Sequence, residues 1–265
     1  MPRVLIDRLD DPRIAIYRNL KATNLTRHTD LFVVEGEKLL DRLRQSRFPL
    51  ASVLVTDRHE PRLASRVPDD VPRYVVPHAL IDAIVGFRYH LGVLASGRRR
   101  PWPGLDETIR AAGPRLALII CPQLDSPENL GSIVRIGDVF GVDAVVVSDR
   151  CPDALSRRVL RVSMGSSLRL PVIESDDLKH DVAQLGSEWA IQRIAAVADP
   201  SAEPFDAPPR ADRLALFLGS EAHGLAPEWI ERCDRRVTIP MRPGAESLNV
   251  AVAAGILLHY YLRRE

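Results

Sequence analysis

Arg115-Leu116-Ala117-Leu118-Ile119-Ile120-Cys121 is an unbroken apolar run entered from one arginine. A half-exposed strand alternates polar and apolar residues. A run with no polar face is expected of a strand buried on both sides of a parallel sheet. Outward from it, a helix is expected from about Gly131 to Phe140, a strand over Ala144–Ser148 and a helix over Ser156–Met164. Further strands are expected at Ile194–Val197, Leu214–Leu218 and Val237–Pro240, with a closing helix from Ser247 to about Arg263. Strands alternating with helices make this half an α/β unit.

Upstream, residues 1–24 fit one or two short helices. Strands are expected at Leu31–Val34, Ser52–Thr56, Tyr74–Pro77 and Tyr89–Ala95, with Leu39, Leu40 and Leu43 at helical spacing and a short helix over His78–Ile84. Prolines and glycines punctuate residues 98–113 like a linker. The expected division is therefore a domain over 1–97, a linker over 98–113 and a domain over 114–265.

Composition narrows the function classes. The chain has 265 residues, enough for one or two domains, and 27% of them are charged, too ordinary for a disordered chain. No apolar run approaches the ~20 residues of a membrane span. The first residues lack the order of a signal peptide, and Cys121, Cys151 and Cys233 are too scattered for a disulfide framework, so the expected location is the cytoplasm. The net charge of +1 hides an asymmetry. Residues 1–110 carry 19 basic and 14 acidic side chains, while the remainder is net acidic. A basic first half suits a polyanionic partner. A GC-rich coding sequence gives the same preponderance of arginine over the three lysines.

Common nucleotide and catalytic signatures are missing. No GxGxxG opens a helix after a strand, which disfavours a nucleotide-binding oxidoreductase. Gly219 and Gly224 have P-loop spacing, but Leu225-Ala226 follows where Lys-Ser/Thr is needed. No HExxH, metal-spaced histidine pair or GxSxG elbow occurs, so no metal site is expected.

Three segments of the second half carry chemistry instead. Pro127-Glu128-Asn129-Leu130-Gly131-Ser132-Ile133-Val134-Arg135 follows a strand and enters a helix. Leu218-Gly219-Ser220-Glu221-Ala222-His223-Gly224-Leu225 leaves a strand through a glycine-bracketed turn with one carboxylate. Ile239-Pro240-Met241-Arg242-Pro243-Gly244-Ala245-Glu246-Ser247-Leu248-Asn249-Val250 is an irregular loop placing two polar residues at the mouth of an apolar helix, where Ser247 could also act as an N-cap. Each alone reads equally as an ordinary turn or helix start.

In order and at these spacings the three resemble motifs 1, 2 and 3 of the SpoU/TrmH family of SPOUT RNA methyltransferases. The likeness covers residues 114–265 almost completely, and Arg161-Val162-Ser163-Met164-Gly165 resembles a further family segment. Leu31-Phe32-Val33-Val34-Glu35-Gly36-Glu37-Lys38 is similar to the small α/β, ribosomal-protein-like RNA-binding domain that often precedes this core. The resemblance implies a mostly parallel sheet with a deep trefoil knot, S-adenosyl-L-methionine as cofactor, a homodimer and methylation of an RNA ribose 2′-OH. Ribosomal RNA is the first expected substrate and transfer RNA the second. A non-catalytic RNA-binding protein of this fold is the alternative.

By motif position, Arg135 is the implied catalytic cation, with Glu221, Ser247 and Asn249 positioning it and the hydroxyl and Asn129 bracing the loops. Leu218, Gly219, Ile239, Met241 and Leu248 would surround the cofactor, and Lys38, Arg161 and Ser163 would meet RNA. One departure stands out: the family glycine expected two residues after Met241 is Pro243 here, and Gly244 follows.

Overall fold

The computed structural model describes residues 3–20, 29–63, 65–207, 211–242, 244 and 246–262. Pro243 lies outside them; the adjoining Gly244 takes a φ of +85°. Two compact units form. The first joins Met1–Pro101 with Leu155–Leu168, and the second joins Trp102–Ala154 with Arg169–Glu265.

In the first unit, β1 (Arg3–Leu5), β2 (Leu31–Glu35), α1 (Glu37–Arg44), β3 (Leu50–Thr56), α2 (Glu60–Leu63), β4 (Arg73–Val76), α3 (Ile81–Val85) and β5 (Val93–Arg98) follow one another. The five strands form one mixed sheet in the order β1-β4-β3-β5-β2, with β5 antiparallel to both neighbours. The expected strand at Tyr89 begins only at Val93, because Gly92 takes a φ of +65° and turns the chain just before it.

The second unit is built on α4 (Leu105–Ala111), β6 (Leu116–Cys121), α5 (Pro127–Phe140) and β7 (Ala144–Val147). After α6 (Arg157–Val162) come β8 (Val172–Glu174), α7 (Leu178–Ser187), β9 (Gln192–Ala196), β10 (Glu203–Pro204), β11 (Arg213–Phe217), α8 (Pro227–Ile230), β12 (Arg235–Thr238) and α9 (Val250–Leu262). Seven strands order as β10-β12-β9-β11-β6-β7-β8, every pair parallel. All six residues of β6 are buried, as its unbroken apolar run requires. On one face Leu116, Leu118 and Ile120 pack with Leu105 and Ile109 of α4 and Leu178, Val182 and Leu185 of α7. On the other, Gly137 of α5 lies over Ile119, where even a methyl group would come within 3.2 Å of its side chain. Among the described residues no helix is long and apolar enough to cross a membrane.

Residues 98–113, read as a linker, thus contain a helix whose Leu105 and Ile109 enter the core. Helix α5 starts four residues before the expected Gly131. The Ser126 hydroxyl accepts from the N–H groups of Glu128 and Asn129 at 3.2 and 3.3 Å, and Pro127 occupies the first helical position.

Leu155–Leu168 is held in the first unit by charge and by close packing. Glu35 of β2, its side chain only 2% exposed, pairs with Arg157 of α6, and Arg161 stands 3.9 Å from the same carboxylate. The Arg157 guanidinium also lies 4.9 Å from the centroid of the Phe87 ring. Gly165, at a φ of +81°, packs so closely on α1 that a methyl group would fall 2.9 Å from Leu39.

Arg157→Ala should strand the Glu35 carboxylate in the core. Breaking a buried pair from one side costs roughly 3–5 kcal/mol, and the quarter-exposed Arg157 puts the expected loss near the lower end. Glu35→Gln combined with Arg157→Met should recover most of it. Denaturant titration of both variants checks this; equal losses would show that packing, not the stranded charge, is responsible.

Candidate active site

Helix α9 begins with backbone N–H groups that need acceptors. Asn249 supplies one: its Oδ1 accepts from Ala251 N at 2.9 Å and Val252 N at 3.3 Å. That fixes which end of the amide faces outward. Asn249 Nδ2 donates to Asn129 Oδ1 at 3.0 Å, which turns Asn129 Nδ2 toward Glu221, where it donates to Oε1. The Asp125 N–H donates to the other Glu221 oxygen at 3.3 Å. The three motif residues Asn129, Glu221 and Asn249, 120 residues apart at the extremes, form one polarised hydrogen-bond chain. Every amide orientation in it follows from the helix N-terminus at its origin.

Beside this chain lies a cavity of about 480 Å³. All five expected cofactor residues line it: Leu218 and Gly219 after β11, Ile239 and Met241 after β12, and Leu248 before α9. Glu221, Ser247 and Asn249 line it too. Val197, Val237, Ala253 and Leu257 add to its largely apolar wall. Gly219 has no alternative here. A Cβ at that position would fall 2.1 Å from the backbone of Gly224 and Leu225, where the loop doubles back on itself. The return is pinned by reciprocal bonds between the Ser220 and Gly224 backbones, 3.0 and 2.9 Å, and by a φ of +69° at Gly224.

Arg135 stands just over two turns into α5, exposed, and among the described residues no carboxylate pairs with its guanidinium. It does not line the cavity, nor does Asn129. Ser247 is exposed at the cavity mouth, and the capping contacts at α9 come from Asn249 rather than from it. The other expected residues belong to the first unit. Lys38 and Arg161 are exposed. Ser163 is fully buried, its hydroxyl donating to Leu160 O at 3.3 Å at the end of α6. Cys121 closes β6 near this site, but burial pushes its thiol well above the ordinary range, which makes it a poor nucleophile. Among the described residues no cluster of three or more His, Cys, Asp or Glu side chains could hold a metal ion.

The model of the SpoU rRNA methylase family matches residues 117–259. An uncharacterized tRNA/rRNA methyltransferase of Mycobacterium bovis is 34% identical, over 94% of this chain and 88% of that protein. A 23S rRNA (guanosine(2553)-2′-O)-methyltransferase of Bacillus subtilis is 28% identical over 97% and 98% of the two chains. A crystal structure of an AdoMet-bound rRNA methyltransferase from Sinorhizobium meliloti superposes with a TM-score of 0.82 at 21% identity, covering 98% of this chain and 97% of that one. At that identity the likeness concerns the fold.

The polarised chain separates two substitutions that look alike. Asn249→Asp keeps an acceptor for the α9 N–H groups but cannot donate to Asn129, whereas Asn249→Ala loses both. The alanine variant should lose about 1 kcal/mol of stability or somewhat more, and the aspartate variant clearly less. Thermal denaturation of the two checks the assignment of Asn249 as the cap; equal melting temperatures would contradict it.

Proposed function

Because the chain belongs to the SpoU rRNA methylase family, we propose that it transfers a methyl group from S-adenosyl-L-methionine to a ribose 2′-OH of RNA, ribosomal RNA before transfer RNA. The observation that carries this reading is the Asn129–Glu221–Asn249 chain set at the mouth of a largely apolar cavity. The cavity suits the cofactor. Its volume lies within the ~300–1,000 Å³ typical of small-molecule sites, and an adenine ring needs flat apolar walls with a few polar groups at the edge. Leu218, Gly219, Ile239, Met241 and Leu248 would hold it. When bound, S-adenosylmethionine supplies a sulfonium-activated methyl group.

The rest falls to the protein's own side chains. The hydroxyl must be aligned and must lose its proton as its oxygen gains negative charge. A guanidinium carries hydrogen-bond donors and no acceptor, so Arg135 is a poor base. As a cation it would bind the neighbouring phosphate through its planar fork and stabilise the developing alkoxide. Glu221, held at both oxygens, would fix the position of the Arg135 guanidinium or the ribose, and Ser247 and Asn249 would orient the hydroxyl.

The finer assignments follow the same reading. We place a deep trefoil knot at the carboxyl edge of the second unit's sheet; the bond tying the start of α9 to the start of α5 supports it. Residues 1–97 would bind RNA in the cytoplasm, with Lys38 exposed for phosphate contact, and Arg161 of α6, which belongs to the same unit, is exposed as well. Ser163 fits a structural role better, being buried. A homodimer would cover the apolar groove of about 460 Å³ formed by Ile136, Phe205, Val252, Gly255, Ile256 and Tyr260. Val252, 51% exposed on α9, is part of that contiguous apolar lining.

Two measurements test this. Arg135→Ala should lower single-turnover methyl transfer to ribosomal RNA by about 10²–10³ while leaving S-adenosylmethionine affinity unchanged by calorimetry. Arg135→Lys should restore little of it, and the pH–rate profile should keep its shape in both. Near-normal transfer by Arg135→Ala would overturn the catalytic assignment. Val252→Glu should convert a dimer into a folded monomer by light scattering; an unchanged dimer would move the interface elsewhere.

A further inference from the structure

A second cavity, of about 300 Å³, opens next to the first. It lies over the carboxyl ends of β6, β7 and β8, lined by Pro122, Ser148 and Ser175 as each strand gives way to its loop. Strand order reverses beside it: β6, β7 and β8 step toward one edge of the sheet, while β9, β11 and β12 occupy the other side. Open parallel sheets bind ligands in the crevice at such a reversal. The loop from Gly219 to Leu225 has one face on each cavity, and Gly219, Ser220, His223, Gly224 and Leu225 line both. This wall is thin where Gly219 and Gly224 carry no side chain and the two halves of the loop are bonded directly to each other.

The lining differs from that of the first cavity. Gln123, Asp149, Arg150, Asp176, Lys179 and His223 set an amide, carboxylates, cations and an imidazole around the rim. A phosphate subsite would gather cations. Here Lys179 is already paired with Glu228 at 2.6 Å, and carboxylates outnumber what remains. A nucleobase edge, by contrast, presents donors and acceptors side by side, and unstacked RNA bases are read on such edges. Leu225 and Trp229, both buried, provide an apolar floor.

We propose that this cavity is the subsite for the base of the nucleotide whose ribose is methylated. The assignment rests on the function proposed above. The segment after β6 connects the two places. Gln123 lines the second cavity, the N–H of Asp125 holds Glu221, and Asn129 holds Glu221 from the next turn. A base seated beside Gln123 puts its ribose on the Glu221 side of the dividing loop, next to the cofactor cavity. Base identity is then set by the rim side chains and methyl transfer by the hydrogen-bond chain.

Ala226 tests this. It is exposed, lines the second cavity alone of the two, and makes no side-chain capping contact at the start of α8. In the full-length protein, Ala226→Trp should fill the space without removing a bond. Expected are an unchanged melting temperature, S-adenosylmethionine affinity within about twofold of wild type, weaker binding of ribosomal RNA, and a fall of ~100-fold or more in kcat/KM for its methylation. Gln123→Ala, a smaller change that also removes the 3.3 Å bond from its amide to Asp125 Oδ1, should raise KM for RNA by about tenfold, the worth of one hydrogen bond. Transfer by wild type and Ala226→Trp alike would overturn the subsite alone. A parallel loss of cofactor affinity would make the space part of the cofactor site and overturn it too. Absence of transfer by wild type to any ribosomal or transfer RNA would instead remove the function on which the subsite rests.

Discussion

The constraint on which the catalytic end of the second unit depends is the unsatisfied N-terminus of one helix. Backbone N–H groups at the start of α9 need acceptors, and Asn249 provides one. Because an amide has one accepting and one donating end, that bond dictates what Asn249 offers to Asn129, and so what Asn129 offers to Glu221. The carboxylate is therefore held by a sequence of one-way bonds whose direction is set by helix geometry. Replacing any member with a residue of similar size but opposite hydrogen-bonding sense would break the sequence. Three distant stretches of chain are thereby brought into register at one place, and the carboxyl ends of β6 and β11 deliver two of them there.

Much of this was legible in the amino-acid sequence, and the exceptions have physical causes. The apolar run at Leu116–Cys121 announced a strand buried on both faces because no polar residue interrupts it. The five residues expected around a cofactor line one cavity because they cluster in two glycine- and proline-rich loops after β11 and β12, the two strands that flank β9. Helix α5 starts before the expected Gly131, and the signal for it is present in the sequence: Ser126-Pro127-Glu128 is a cap followed by a proline at the first helical position. Helix α7 follows Asp177, whose carboxylate accepts from His180 N, with Leu178, Val182 and Leu185 at helical spacing. The preceding β8, only three residues long, gave periodicity nothing to act on.

Pairings between distant residues were not legible. Nothing in Glu35 marks it as the partner of Arg157, because ion-pair partners are chosen by the fold and not by spacing. Ser163 looked like a polar residue available to RNA, yet it is fully buried and bonded to Leu160 O, at the turn that brings Gly165 against α1. The second cavity was equally hidden. Its lining comes from four strand ends, and none of the loops between β7 and α6 or between β8 and α7 carries a motif.

The contribution of Leu155–Leu168 to the first unit has a consequence for synthesis. Chains are made from the amino end at about 5–20 residues per second, and a leading domain ordinarily folds as soon as it emerges. Here the helix that neutralises Glu35 is encoded after the whole of β6, α5 and β7. For several seconds on the ribosome the first five strands are complete while an uncompensated carboxylate faces the place α6 will fill. The amino-terminal sheet cannot reach its final stability until part of the following unit has been translated. The order of manufacture and the order of consolidation are thus different in this protein, and premature release of a chain ending near residue 150 would leave an amino-terminal fragment lacking one of its own helices.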